Sequence, residues 1–451
     1  MLGLGDTGLS MARWLARRGA VVSVADTRAE PPYARTLATE HPKMSLRTGA
    51  YARATFDAAD VIAISPGVDR REPLVAKALK RGVPVVGDVE LFAQALPEIA
   101  KAQGVTTPQV LAITGSNGKS TVTAMTGEVC KAAGRTTLVA GNIGVPVLDA
   151  LSEIEAGATL PEIFVLELSS FQLESTASLH PAAAAVLNLT EDHLDRYDGL
   201  QDYAAAKARI FEGAKVQVVN RDDAWSTRMA RSDGTTVTFG LEVPPRNNDW
   251  GLVSSSLAQG NVSLMPLADL PLAGLHNAAN ALAALALGDA VGLDAESMVQ
   301  GLRRFRGLPH RLEKVGERGG ITFFDDSKGT NVGATVAALN GLTSPVVLIA
   351  GGDGKGQNFS PLAPAVSGRA RAVVLIGRDA ELISRVLRGC GVPLLHAPTM
   401  EDAVVTAYRA GKPGDAVLLS PACASFDMFR SFVHRGEVFS DAVRALIRAA
   451  R

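Results

Sequence analysis

The run Ile113-Thr114-Gly115-Ser116-Asn117-Gly118-Lys119-Ser120-Thr121 constrains the fold of this chain more than any other stretch. It follows the apolar segment Val110 to Ile113, which reads as a buried strand, and precedes Val122 to Ala133, which reads as a helix. A Gly-rich turn between the two points several backbone N–H groups at one small volume, where the helix N-terminus adds partial positive charge. Lys119 reaches the outer phosphates of a nucleotide held there, and the Ser120 hydroxyl suits Mg²⁺. The run departs from the common G-x-x-x-x-G-K-[ST] pattern, since Ile113 stands where the first Gly belongs. An ordinary strand-to-helix turn is the competing reading, and Gly118-Lys119-Ser120 in this setting argues against it. The cradle implies a bound nucleotide without saying what its phosphate is used for.

A chain of 451 residues exceeds one ordinary core and implies two or three domains. With 47% apolar and 20% charged residues it reads as globular and soluble. Lys plus Arg total 45 and Asp plus Glu total 46, so the net charge is −1 and phosphate-driven nucleic-acid binding is not expected. The three Cys (Cys130, Cys390, Cys423) form no CxxC pair, which argues against disulfides and zinc and for a reducing compartment. No apolar run approaches the ~18 residues that span a bilayer. The Ala-rich stretch from Asn277 to Ala290 is interrupted by Asn280 and Asp289 and reads as a buried helix. No signal peptide is visible, so the expected location is the cytoplasm.

The Gly-rich turn Gly3-Leu4-Gly5-Asp6-Thr7-Gly8 opens a helix from Leu9 to Arg18, but almost nothing precedes it. Its strand is expected to be missing or cut to two residues, through truncation or a late start. Strands are expected over Ala20–Ala25, Val61–Ser65 and Val83–Val86, a βαβ rhythm that makes a small parallel sheet. The turn fits G-x-G-x-x-G, and Asp26 follows the next strand, so an NAD-binding domain is the rival reading there. Leu96 to Pro108, with Pro97 and Gly104, reads as a linker. Further strands are expected over Phe164–Leu166, Ala185–Leu189, Ile321–Phe324, Val346–Ala350, Ala372–Ile376 and Ala416–Leu419. Pro244 to Asp249 reads as a surface loop. The expected fold class is α/β in three domains. A Rossmann-like domain covers 1–95, a central P-loop ATPase-like parallel sheet covers 96–306, and a Rossmann-like C-terminal α/β domain covers 307–451.

Several strand ends carry chemistry. Glu167 closes Phe164-Val165-Leu166 and opens Glu167-Leu-Ser-Ser-Phe-Gln-Leu-Glu174, a setting that favours Mg²⁺ ligation over a solvated carboxylate. His193 sits among Glu191, Asp192 and Asp195, which fits metal or phosphate chemistry and equally a solvated acidic loop. Lys207, in an Ala-rich helix, reads by composition as a surface lysine. Asp325-Asp326-Ser327-Lys328-Gly329-Thr330-Asn331 and Gly351-Gly352-Asp353-Gly354-Lys355-Gly356 each put a Lys in a strand-end loop. They suggest an anionic substrate between them, with a pair of surface turns as the alternative. Cys423 has no His near it in sequence and reads as a structural thiol.

Together these motifs resemble the Mur ligases, ATP-dependent amide ligases that build the peptidoglycan peptide stem. The strings Thr114–Thr121, Glu167–Glu174, Thr190-Glu-Asp-His-Leu-Asp-Arg196, Asp326–Asn331 and Ser420-Pro-Ala-Cys-Ala-Ser425 carry the resemblance, in order along the whole chain. The Glu167 and Ser420 strings resemble the branch that adds D-glutamate to UDP-N-acetylmuramoyl-L-alanine. The resemblance implies ATP and two Mg²⁺ ions, one on Ser120 and Glu167, the other on His193 and a carbamylated Lys207. It replaces the bland reading of Lys207. Lys119, His193 and Lys207 are implied to be catalytic. Gly115, Ser116, Asn117, Gly118, Lys119, Ser120, Thr121, Asn277, Asn280, His310, Arg311 and Asp326 match the ATP side. Asp6, Thr7, Asp26, Thr27, Arg28, Ser65, Pro66, Gly67 and Asn142 match the UDP-sugar side, so that the first turn holds a uridine nucleotide rather than NAD. Lys328, Thr330, Lys355, Ser425 and Phe432 match the D-glutamate pocket. The family implies a monomer with small-molecule substrates and neither nucleic acid nor membrane. A sister ligase adding another amino acid, a folate-polyglutamylating ligase and a nicotinamide-dependent oxidoreductase are the competing readings. The last leaves Gly118-Lys119-Ser120 unexplained.

Overall fold

A computed structural model describes residues 1–193, 196–272 and 274–449. Leu194 and Asp195 of the acidic string lie outside the described residues. In the first unit, Ser23–Asp26 pairs in parallel with Ser45–Thr48, and Ile62–Ala63 with Val85–Val86. Leu2 bridges both pairs, to Ala25 on one side and Ile64 on the other. Leu2 therefore takes the place of a first strand through isolated bridges. Leu2 N–H donates to Ala63 O at 2.8 Å and Gly3 N–H to Ala25 O at 2.9 Å, which anchors the turn that follows. The helix begins at Asp6, earlier than expected, and runs to Arg17.

Leu96 is no linker. Helix Asp88–Ala102 runs through it with Pro97 inside. Buried Phe92, Ala95, Leu96 and Ile99 hold this helix against the core, which outweighs the one backbone hydrogen bond that Pro97 cannot make. Only residues 103–108 connect it to the next strand.

The central sheet has nine strands, in the order Val262–Pro266, Ser256–Gln259, Trp250–Val253, Thr235–Phe239, Val216–Asn220, Ala183–Val186, Gln109–Thr114, Ile163–Glu167, Thr137–Gly141. Strand Gln109–Thr114 is flanked on both sides, and its buried side chains alternate between two cores. Val110 and Ala112 join a core with Phe92 and Leu148, while Leu111 and Ile113 join one with Met125 and Leu282. The antiparallel strands at the Val262 edge were not foreseen. Their turns are short, and Asp249, expected in a surface loop, is fully buried, accepting from Thr238 N–H and Arg246.

The third sheet is ordered Glu313–Arg318, Ile321–Asp325, Ala416–Leu419, Val346–Gly351, Ala370–Ile376, Leu394–His396. Only the edge strand Glu313–Arg318 is antiparallel. Among the described residues no helix is long and apolar enough to cross a membrane.

Candidate active site

Strand Gln109–Thr114 delivers Gly115–Gly118 to the N-terminus of helix Lys119–Ala132. Gly118 is left-handed, at φ +82°, and a Cβ there would sit 2.7 Å from Asn280 Oδ1, so glycine is required. Asn188 fixes the loop by accepting from Ser116 N–H at 2.9 Å (through its carbonyl) and Asn117 N–H at 2.8 Å (through its side chain). Lys119 Nζ donates to Gly115 O and Ser116 O, both at 2.9 Å, and burial lowers its pKa.

Lys207 is not on the surface: it is 1% exposed. Its Nζ donates to Gly115 O at 2.9 Å and lies 4.5 Å from the Tyr203 ring centroid. Burial, reinforced by the Lys119 charge, pushes its pKa well below that of a free lysine. An Ala-rich helix carries no periodic signal of which face is buried, so composition misplaces this residue. Glu167 is also buried; its Oε1 accepts from Asn142 Nδ2 at 2.7 Å. Its Oε2 has no hydrogen-bond partner among the described residues. A buried carboxylate oxygen without a donor suits a hard cation. His193 adopts φ +55° and packs its ring on Phe171, with centroids 5.0 Å apart. Burial depresses its pKa, so a neutral ring with a free lone pair is favoured.

Ser120, Glu167, His193 and Lys207 line one cavity of about 560 Å³ with Lys119. The third unit closes over it. Arg311 donates to Ser120 Oγ at 2.6 Å, and Asn331 Nδ2 to Asn117 Oδ1 at 3.0 Å. Asp326, Lys328, Thr330 and Lys355 line the same cavity, as do Asn277 and Asn280. Burial pushes Asp326 up to about 7, and Ser420 Oγ donates to its carboxyl at 2.7 Å. Burial brings Lys328 down to about 8; its ammonium stands 4.2 Å from the Phe432 ring centroid.

Not every expected residue reaches this cavity. Of the expected sugar-side positions only Pro66 and Asn142 line it. Asp26 is buried in the first unit, accepting from Leu4 N–H at 2.7 Å and from Arg28, while Tyr33 donates to Asp6. His310 instead pairs its Nδ1 with Asp325 at 2.7 Å. Ser425 and Phe432 do not line it, although the Phe432 ring faces the Lys328 ammonium. Cys423 is a buried thiol pushed up to about 12, in keeping with a structural role.

Arg435 escaped sequence reasoning. It is 1% exposed and donates to Ser327 O at 2.7 Å, Ser327 Oγ at 3.0 Å and Cys423 O at 3.0 Å, tying the Asp326 loop to the Ser420 loop. A single Arg in an amphipathic helix gives no sign that it points inward.

The chain matches known proteins along nearly its whole length. Residues 1–87 match the family model described as Mur ligase MurD-like, N-terminal domain; residues 113–288 match the Mur ligase middle domain; residues 310–423 match the Mur ligase, glutamate ligase domain. The chain is 58% identical to UDP-N-acetylmuramoylalanine--D-glutamate ligase of Thiobacillus denitrificans, over 99% of this chain and 96% of the relative. It is 57% identical to the enzyme of that name from Nitrosospira multiformis, over 100% and 96%. Its fold is shared with a pseudomurein peptide ligase type C from Methanothermus fervidus, at TM-score 0.61, 18% identity and 99% coverage of both chains. It is shared too with UDP-N-acetylmuramate-alanine ligase from Thermotoga maritima, at TM-score 0.59 and 20% identity, over 99% of this chain and 98% of that one. A largely parallel nine-stranded unit with a Gly-rich strand-to-helix loop, roofed by a second α/β unit and matched along nearly its whole length, has one reading: the chain belongs to the Mur ligase family.

Proposed function

We propose that this protein joins the amine of D-glutamate to the alanyl carboxylate of UDP-N-acetylmuramoyl-L-alanine at the expense of ATP, a step in peptidoglycan precursor synthesis. The observation that carries the reading is the single cavity in which the cradle faces Arg311, Lys328 and Lys355 of the third unit. The near-full-length identity to D-glutamate ligases supports the choice of amino acid. The carboxylate attacks the γ-phosphoryl of ATP, giving an acyl phosphate and ADP. The amine then attacks the acyl carbon, and the tetrahedral intermediate expels phosphate as the nitrogen loses its proton. Such chemistry needs positioning and charge neutralisation more than covalent help.

The cradle N–H groups and Lys119 hold the phosphates, with Gly115, Ser116, Asn117, Gly118 and Thr121 shaping the loop. Asn277, Asn280, His310, Arg311 and Asp326 complete the ATP side. Lys328, Thr330, Lys355, Ser425 and Phe432 take D-glutamate. Asp6, Thr7, Asp26, Thr27, Arg28, Ser65, Pro66, Gly67 and Asn142 take the UDP-sugar. Residues 1–95, 96–306 and 307–451 divide these tasks, with the first boundary inside helix Asp88–Ala102.

The donor set fits Mg²⁺: the unpartnered Glu167 oxygen with the Ser120 hydroxyl on one side, and His193 with Lys207 on the other. Bound there, the two ions would neutralise phosphoryl charge. Lys207 serves as a carbamate. Its lowered pKa provides the neutral amine that CO₂ requires, and the carbamate N–H retains a donor for Gly115 O. The protein acts as a monomer in the cytoplasm, where its nucleotide substrates are found, and binds no nucleic acid. Phosphate release with UDP-N-acetylmuramoyl-L-alanine and D-glutamate, L-glutamate, L-alanine or L-lysine in turn tests the reading. Release with D-glutamate is expected; release only with another amino acid overturns it.

A further inference from the structure

Arg196 stands outside the residues assigned above, yet it joins the first unit to the central one. Its side chain is 10% exposed. The guanidinium lies 4.5 Å from the Phe171 ring centroid and donates to Glu174 Oε2 at 2.8 Å. Its remaining N–H groups face the first unit: Nη1 to Pro66 O at 3.4 Å, Nη2 to Val68 O at 3.3 Å, and Nε 3.5 Å from Asp69 Oδ2. Tyr197 OH donates to the other Glu174 oxygen at 2.7 Å, and Arg71 of the first unit reaches across to Asp198 at 3.1 Å.

A guanidinium offers five donors in a planar fork that also stacks on a ring, so one side chain can bind two segments at fixed angles. Here the segments are the Pro66–Asp69 turn and the Phe171–His193 ring pair, whose centroids are 5.0 Å apart. Pro66 and His193 both line the cavity. Glu174 holds Nη2 from the central unit, while Nη2, Nη1 and Nε also face the turn, so the arginine is oriented from the central unit toward the first.

We propose that Arg196 is a positioning residue that sets the Pro66–Asp69 turn against the Phe171–His193 pair and thereby aligns the UDP-sugar with the reacting end of the cavity. This rests on the reading of the Pro66 turn as a nucleotide-sugar contact. The geometry separates substrates. The sugar touches the clamped turn, whereas the cradle that holds ATP is fixed by Asn188, and among the described residues no hydrogen bond joins it to Arg196.

The test compares the full-length chain with R196K and R196Q, and with D69N, which weakens the clamp from the other unit. Binding of UDP-N-acetylmuramoyl-L-alanine and of an ATP analogue is measured by calorimetry, alongside kcat, the three KM values and the melting temperature. Sugar affinity is expected to fall roughly 10- to 100-fold in R196Q, the range lost with a charge-assisted hydrogen bond, and less in R196K and D69N. ATP-analogue affinity and the KM for D-glutamate stay within about twofold, since Asn188 rather than Arg196 fixes the cradle and Lys328 and Lys355 belong to the third unit. Unchanged sugar binding in R196Q while the wild type binds overturns the clamp alone. Equal loss of sugar and ATP-analogue binding makes Arg196 merely structural and also overturns it. A wild-type chain that fails to bind the sugar overturns the underlying reading itself.

Discussion

Arg311 donates to Ser120 Oγ at 2.6 Å, bringing a side chain of the third unit onto the hydroxyl that follows the cradle lysine, 191 positions away in sequence. The side chain is half-buried, and burial lowers its pKa, with the Glu167 charge opposing that effect. Under the proposed function, a cation held this close to the Gly115–Gly118 loop would stabilise charge that develops on a transferring phosphoryl group. Arg311→Ala is expected to cut kcat/KM for ATP by roughly 10²- to 10³-fold, as removal of one preorganised charge donor does. Arg311→Lys should recover part of it, since the charge returns without the fork. Phosphate-release kinetics at saturating sugar and D-glutamate measure both. Wild-type kinetics in Arg311→Ala would remove Arg311 from the phosphoryl site.

Lys207 gives a second expectation. Its amine loses its proton well below the pKa of a free lysine, because burial and the Lys119 charge both oppose protonation. Carbamylation needs the neutral amine, so it should persist at pH values where an exposed lysine is fully protonated, and decline as pH falls through the depressed pKa. Activity is expected to drop in CO₂-depleted buffer and return with bicarbonate. With ¹³C-bicarbonate, NMR should show a carbamate carbon in the wild type that is absent from Lys207→Ala. That variant is expected to be inactive while keeping ATP-analogue binding through the cradle. Full activity in Lys207→Ala would rule out the carbamate.

How far the sequence anticipates this site depends on how local each signal is. The cradle is legible because its determinants are contiguous: an apolar strand, two glycines, a lysine and a helix. Glu167 is legible because it ends a strand. Lys207 is not, since burial is decided by what packs on its helix, and only the family resemblance rescues it. Arg196 and Arg435 act through contacts more than 100 positions away, to Val68 and Ser327. Nothing in their immediate neighbours announces this. The fold divides similarly. Buried parallel strands read clearly as apolar runs, whereas the three-residue edge strand Leu394–His396 and the polar edge strand Glu313–Arg318 lack both length and alternation. Pro97 suggested a break that packing of the Asp88–Ala102 helix overrides.

Asp26 should make the first unit sensitive to acid. Hydrogen bonds from the Arg28 side chain, joined by Leu4 and Arg28 N–H groups, hold its carboxyl down at about 2 against an ordinary 3.8. A carboxylate depressed in the folded state stabilises it above the ordinary pKa, and that contribution disappears as pH falls from 3.8 through about 2. Asp26→Asn lacks the ionised form. It is expected to be less stable than the wild type at neutral pH, with the difference closing below pH 3.8, in urea unfolding followed at several pH values. A difference constant across that window would show that the charge of Asp26 contributes nothing.

Asp88 carries the opposite sign. It opens helix Asp88–Ala102, is 2% exposed, and receives Gln172 Nε2 at 2.9 Å on one oxygen. The other oxygen has no hydrogen-bond partner among the described residues. Burial raises its carboxyl from 3.8 to about 6 although the Gln172 bond and two backbone N–H groups pull it down. The unfolded chain releases this proton near 3.8 and the folded chain only near 6, so ionising Asp88 costs stability as pH rises across that interval. Asp88→Asn keeps the shape and an acceptor for Gln172 but cannot ionise. The variant is therefore expected to match the wild type below pH 3.8 and to melt at a higher temperature above pH 6. A melting temperature lower than wild type at pH 8 would mean that the ionised carboxylate gains more from the helix N-terminus than it loses by burial.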